Sequence, residues 1–540
     1  MGKLSFYDKE LRPWPNSRLT SALIVGHTTT DSARIWVRSQ KPGEYWLIVS
    51  PGPIDTAREP IVRHQGGVPH AVLRRVGTED HRHPIWKLDM RGENDFTDVA
   101  DVTGLTPETE YHCAVFPRKP DPFKWEVGYD QSQPICFRTM RRDPSEVVFG
   151  FHSCHMPYKS ENVHNMDMWS FYGQQLAAEK ADFLIAGGDQ VYTDGDGNLN
   201  IWKWLRKVKR EGPTLEDMKS WYRDIYRGYW GFPQVQQVLR QWPSYMIWDD
   251  HEIMDGWGSY EERELSDRLD TILEIENRSL NLTLAKRMFR AAKKVYTEYQ
   301  HSHNPRTPSG QWDYSFTCGH AAFYVWDMRG HREFERDACR VLGERQRDRF
   351  LRWLAKPDGE AAHASALFVV SPVPVVHANE FLVNTLDITL IGLADDLRDE
   401  WAHDTNLGER DVLLDALFDW SQRTGRKVVF LSGDVHVGAA FRLMRDSHPR
   451  AKVFQLTSSA ITYAKTPPGL TLLVKSQGEL RPPKGSQTRT LFRKLHDTSR
   501  NNFAIVRSRL KSDGEVAIDW SLCGTTTTPR ALVKLETVSI

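Results

Sequence analysis

No apolar run in this chain reaches the roughly 18 residues that a membrane-spanning helix needs, so the sequence predicts none. The opening stretch, MGKLSFYDKELRPWPNSRL, has neither an apolar signal core nor a twin arginine, and Ser5 stands one place early for a myristoylation pattern. The expected address is therefore the cytoplasm. Cysteine is sparse: six residues, at 113, 136, 154, 318, 339 and 523, with no CxxC pair. In a chain of this size that argues against a disulfide framework and for reduced, mostly buried thiols. Net charge is absent as well, 71 Lys+Arg against 71 Asp+Glu, which gives no reason to expect nucleic acid or an anionic membrane as the main partner. Internal repeats and low-complexity tracts are missing too.

What remains is an ordinary globular composition, 40% hydrophobic and 26% charged, spread over 540 residues. That length suits two or three domains. Residues 1–16 are polar and proline-containing and read as an N-terminal arm. From 17 to 140 the pattern is β: SALIVGHTTTDSARIWVRS, EYWLIVS, HPIWKLDM and EYHCAVF are short alternating runs, and no helix separates them. They predict an all-β sandwich, and TGLTPETEY followed by ICFRT resembles the last two strands of a fibronectin type III module. From 145 to 540 the grammar changes. VVFGF (147–151), DFLIAG (182–187), YMIWD (245–249), AAFYVWD (321–327), ALFVVS (366–371), KVVFLSG (427–433) and KVFQLT (452–457) are apolar runs of buried-strand length. Helical patterns lie between them at 169–181, 262–301 and 344–356, with a helical insertion expected over about 197–303. The fold class is therefore α/β. The stretch 464–500 reads as a surface excursion.

Four of the predicted strands end in unusual clusters: His152-Ser153-Cys154-His155, Gly188-Asp189-Gln190-Val191-Tyr192, Asp249-Asp250-His251-Glu252 and Gly433-Asp434-Val435-His436. Taken singly, each reads as a turn with a surface histidine or as a buried thiol. In α/β domains the loops at the carboxyl ends of strands carry the chemistry, and four such loops together point to one site. Thiolate, phenolate, carboxylate and imidazole donors suit a pair of unlike metal ions. Such a pair can clamp phosphoryl oxygens and lower the pKa of water to about 7. TDGDGN, with Asp194 and Asp196, reads as a solvated turn rather than a calcium loop.

These loops resemble, in order and spacing, the PhoD-type alkaline phosphatases and phosphodiesterases, a branch of the calcineurin-like metallophosphoesterases. The resemblance covers most of the chain. It rests on SC at 153–154, GDxxY at 188–192, WDDHE at 248–252, DMRGHR at 327–332, LGERQ at 342–346 and GDVH at 433–436. It implies a β-sandwich catalytic core flanked by helices, the metallophosphoesterase fold, behind the fibronectin-like module. It implies Cys154, Asp189, Tyr192, Asp434 and His436 as metal ligands, with Asp189 bridging, and either Asp250 or Asp255 completing the second site. It also implies Fe3+ beside Ca2+, with Mn2+ or Zn2+ as alternatives. The implied activity is hydrolysis of phosphate mono- and diesters by metal-bound hydroxide attacking phosphorus in line. His251 would steady the transition state or protonate the leaving oxygen. Arg329 and Arg332 would hold phosphate oxygens, although a structural ion pair between Arg329 and Asp327 is an equal alternative. The chain departs from the family in its IMDGWGS loop, where asparagines are usual, and in having His155 where glutamine is frequent. A purple acid phosphatase-like monoesterase would need further histidines, for which His377 is the candidate. A catalytically silent metal-containing binding protein would show lost ligands, and none is lost.

Overall fold

The computed structural model describes residues 19, 21–54, 61–65, 68–73, 81–118, 136–158, 166–195, 200–208, 213–274, 276–376, 401–463, 476–526 and 531–540. The N-terminal arm, Asp196 and His377 lie outside the described residues.

The amino-terminal strands form two antiparallel sheets. One has three strands, centred on Ser32–Arg38, and the other has six, ordered around Gly43–Ser50. Alternation decides which side chains meet. Leu23, Val25, Ile35 and Val37 of the first sheet share a core with Leu47, Val49, Val115 and Phe137 of the second. The opposite face of the small sheet is not solvated. Ile24 and Trp36 point into the large core of the remaining chain, and Trp36 Nε1 donates to the Glu298 carbonyl at 2.7 Å. The two units therefore share a continuous apolar boundary.

The rest of the chain builds two more sheets. The first runs Ser244–Ile247, Phe183–Gly187 and Glu146–His152 in parallel, then continues antiparallel through Phe503–Leu510, Val516–Thr525 and Leu532–Ser539. The second has eight strands, with Ala321–Val325, Ala366–Val370, Lys427–Ser432 and Lys452–Thr457 parallel at its centre. Phe149 of the first sheet meets Phe323 and Phe368 of the second edge-on, with ring centroids 5.3 Å apart in both cases. This aromatic seam joins the sheets.

All seven apolar runs singled out in the sequence are strands, and two expectations need correction. The region 197–303 is not one helical insertion: the strand Ser244–Ile247 divides it, leaving Ile201–Val208, Leu215–Tyr229 and Pro233–Leu239 before and Glu262–Leu273 and Arg278–Tyr299 after. That strand is the YMIWD run already marked in the sequence, so the helices on either side of it form two groups. The stretch 464–500 is not wholly a surface excursion either, because Gln477–Leu480 and Thr490–Thr498 pair as the edge of the eight-stranded sheet. Their exposed outer faces made them read as polar loop.

Candidate metal centre

The carboxyl ends of the parallel strands from both sheets converge on one place. Four residues there, Cys154, Asp189, Asp434 and His436, adopt left-handed backbone conformations, with φ between 53° and 64°. That costs energy for a residue with a Cβ and is retained where the surroundings hold it. It turns each side chain back across the strand ends. The loops also approach closely enough to demand glycine. A Cβ on Gly433 would sit 2.5 Å from Ser153 Cβ, and one on Gly188 would sit 2.8 Å from Asp249 Cβ.

The ligand atoms of three groups lie within 4.8 Å of one another: Cys154, Asp189 and His436; Asp189, Asp250 and His251; and Asp189, Asp249, Asp250 and Asp434. Asp189 belongs to all three. Cys154 Sγ lies 3.4 Å from Asp189 Oδ2, and Tyr192 Oη donates to the same oxygen at 3.0 Å while lying 3.1 Å from His436 Nε2. The Tyr192 ring packs between His251, 4.1 Å away, and Tyr463, which itself stacks on His436 at 3.6 Å. Cys154, Asp189, Tyr192, Asp249 and Asp250 are buried, whereas His251, Asp434, His436 and Tyr463 are partly exposed and form the mouth.

The electrostatics call for a cation. Asp189 Oδ1 is buried with no hydrogen-bond partner, which is costly unless something else satisfies it. Burial, with Asp250, Asp249 and Glu252 nearby and His251 opposing, holds the Asp189 carboxyl far above the usual range. Burial and the charges of Asp189 and Asp434 push the Cys154 thiol up, and burial with Asp189 and Cys154 does the same to the Tyr192 phenol. A metal pair reverses these penalties by pairing each anion. The residues present fit one.

Several supporting residues were not foreseen. Glu252 accepts from the backbone N–H groups of Asp189, Gln190 and Asp249 at 3.2, 2.7 and 2.9 Å and from Gln300 Nε2 at 2.9 Å, tying two ligand loops to the end of a helix. Asp249 stands among the ligand atoms beside Asp250. Asp194 is not in a solvated turn: its side chain is 3% exposed, and His251 Nδ1 lies 2.7 Å from its Oδ1. Burial works against its charge, yet the His251 imidazole and the Asp255 amide hold Asp194 below the usual carboxylate range. His251 is correspondingly pushed well above the usual histidine range: burial lowers it, and Asp194, Asp250 and Asp189 outweigh that.

Two of the expected residues stand apart from the ligand groups. Asp255 is outside all three ligand groups, and its carboxylate pairs with Arg268 Nη2 at 2.9 Å. Asp250 is the one of the two that faces Asp189. Arg329 is fully buried, ion-paired with Asp249 through Nε, 3.5 Å from Asp250 and donating to the Trp257 carbonyl at 3.2 Å. It braces carboxylates instead of lining the opening, and the ion pair it makes through Nε is with Asp249. Asp327 instead accepts from the Arg329 amide at 3.1 Å and is held by Gln346 of the LGERQ segment. Arg332 is also buried, its stem against Gly258. His155 is packed away from the ligand groups, bonded to Thr462 at 2.8 Å and Trp169 at 3.1 Å, and His152 lies 3.3 Å from the Tyr172 hydroxyl. A cleft of about 680 Å³ lies at the other end of the first sheet, beside Glu146, Asp182 and Pro243. Its charges are largely mutually paired, as in Arg141–Asp182 and Arg507–Glu146, so it does not compete as the site.

The sequence pattern of the PhoD-like phosphatase family matches residues 149–511, which spans every cluster just described. The chain belongs to the PhoD-like phosphatase family. An uncharacterized protein of Saccharomyces cerevisiae is 22% identical over 335 residues, a match covering 49% of this chain and 46% of that protein. The chain thus matches about half the length of that relative. A solved structure described as "Structure of PhoD" superposes with a TM-score of 0.63 over 98% of this chain and 91% of that one, at 15% identity. At that identity the likeness is one of fold. This PhoD-like chain has a mixed α/β architecture with several sheets, and among its described residues no helix is long and apolar enough to cross a membrane.

Proposed function

We propose that this PhoD-like protein hydrolyses phosphate esters, monoesters and diesters alike, at a pair of metal ions that Asp189 would share. The observation that carries the reading is the membership of Asp189 in all three ligand groups. When bound, the metal pair supplies Lewis acidity and a water acidic enough to attack phosphorus near neutral pH. Cys154, Tyr192, Asp189 and His436 would hold one ion, and their thiolate, phenolate and imidazole donors favour Fe3+. Asp189, Asp249, Asp250 and Asp434 would hold the other, and an all-carboxylate set favours Ca2+, with Mn2+ or Zn2+ as alternatives. With Nδ1 committed to Asp194, His251 has Nε2 left to give a proton to the leaving oxygen. Arg329 and Glu252 act without touching substrate, by holding Asp249, Asp250 and the Asp189 backbone. The two amino-terminal sheets are read as a fibronectin III-like sandwich, and the two aromatic-seamed sheets as the metallophosphoesterase core.

The test is elemental analysis of purified protein together with hydrolysis of generic aryl phosphate mono- and diesters. Bound metal and metal-restored turnover are expected. A metal-free protein that stays inactive after addition of Fe with Ca, Mn or Zn defeats the reading.

A further inference from the structure

Ser459 follows the strand Lys452–Thr457 and is fully buried between two of the residues assigned to the first ion. Its Oγ accepts the backbone N–H of His436 at 3.1 Å and lies 3.1 Å from Cys154 Sγ. Accepting from the amide leaves the hydroxyl proton free to point at sulfur. Ser153 is different. Its Oγ is 3.1 Å from the Ser458 carbonyl and 3.4 Å from Cys154 Sγ, so its single proton is drawn to the nearer and stronger acceptor. Cys154 is buried beside Asp189 and Asp434, where a thiolate has anionic neighbours. A hydroxyl aimed at it offsets part of that penalty.

We propose that Ser459 is a positioning residue that tunes the metal–thiolate bond. Its hydroxyl donates to Cys154 Sγ while its oxygen fixes the His436 backbone, so one side chain sets the electron density of one ligand and the place of another. Hydrogen bonds to a ligating sulfur weaken its donation to the metal, and such outer partners govern metal affinity and potential. The inference rests on the proposed metal site. It needs no particular native metal.

The experiment loads the full-length protein with Co2+ and records the sulfur-to-cobalt charge-transfer band. Ser459→Ala should shift that band to lower energy, because the sulfur lone pair rises when the hydrogen bond is lost, and should weaken cobalt binding roughly 10-fold, because the His436 backbone loses its anchor and the ligand its fixed place. Ser459→Thr, which keeps the hydroxyl, should restore the band position. A band that Ser459→Ala leaves in place overturns the role of Ser459 while leaving the metal site standing. A folded wild-type protein with no thiolate band overturns the assignment of Cys154 itself, and this inference with it.

Discussion

His251 Nδ1 lies 2.7 Å from Oδ1 of Asp194, and the backbone carbonyl of His251 accepts from Thr193 at 3.0 Å through its N–H and 2.9 Å through its hydroxyl. The histidine loop and the loop of the bridging aspartate are thus fastened at two levels. Fixing Nδ1 sets the tautomer and the orientation of the ring. Replacing Asp194 with Asn should lower kcat by about 10²-fold. The loss should be larger for an alkyl than for a nitrophenyl leaving group, because only the former needs a proton. Equal losses on both substrates would show that Asp194 does not act through leaving-group protonation.

Asp250 and Asp255 separate cleanly. Asp250→Asn removes charge from the carboxylate group that shares Asp189 and should cut affinity for the second metal 10–100-fold. Asp255→Asn breaks a partly exposed pair with Arg268 and should keep both metals. Metal titration followed by isothermal calorimetry distinguishes them, and the reverse ranking would move the second site to Asp255.

Arg329 offers a similar contrast. If it braces Asp249 and Asp250, Arg329→Met leaves two carboxylates buried without their cation, a cost of about 3–5 kcal/mol. Stability and metal content should then fall together, with KM for a small aryl phosphate little changed in the fraction that retains metal. A raised KM at full metal occupancy and unchanged urea midpoint would show direct contact with phosphate.

The boundary between the two units has its own charge centre. Asp95 receives Arg38, Arg227 at 2.5 Å and the Tyr299 hydroxyl, joining the amino-terminal sheets to two helices of the larger unit. Burial alone would raise Asp95, but Arg227 and Arg38 hold it down to about 2. Its folded value is below its unfolded one, so its contribution is complete above about pH 4 and lost as pH falls toward 2. Asp95→Asn should destabilise the protein by about 3 kcal/mol at pH 7. The difference from wild type, measured by urea unfolding, should narrow only below pH 4. A difference that closes between pH 7 and 5 would assign the effect to another group.

The strands and the clustered side chains at their ends were legible for one physical reason, and the gaps have another. VVFGF, DFLIAG and KVVFLS are buried on both faces, so they read as unbroken apolar runs, and the residues directly after them are those brought together at the site. Cys154, Asp189, Tyr192, Asp434 and His436 are local in that sense. Asp194 and Ser459 are not. Their chemistry comes from partners 57 and 305 residues away, and nothing in TDGDGN or TSSAITY signals those contacts. Arg329 misled for a related reason: an arginine after a strand looks the same in sequence whether its guanidinium faces solvent or a buried aspartate. The last two strands of the eight-stranded sheet, Thr490–Thr498 and the edge strand Gln477–Leu480, were hidden because one face of each is wet.

The most direct test of the central claim is the metal content of Asp189→Asn against wild type, read by elemental analysis with turnover of an aryl phosphodiester on the same samples. If Asp189 bridges, wild type carries about two ions per chain, and the variant loses both ions and the activity together. A variant that keeps a full complement of metal and still turns over would contradict the account.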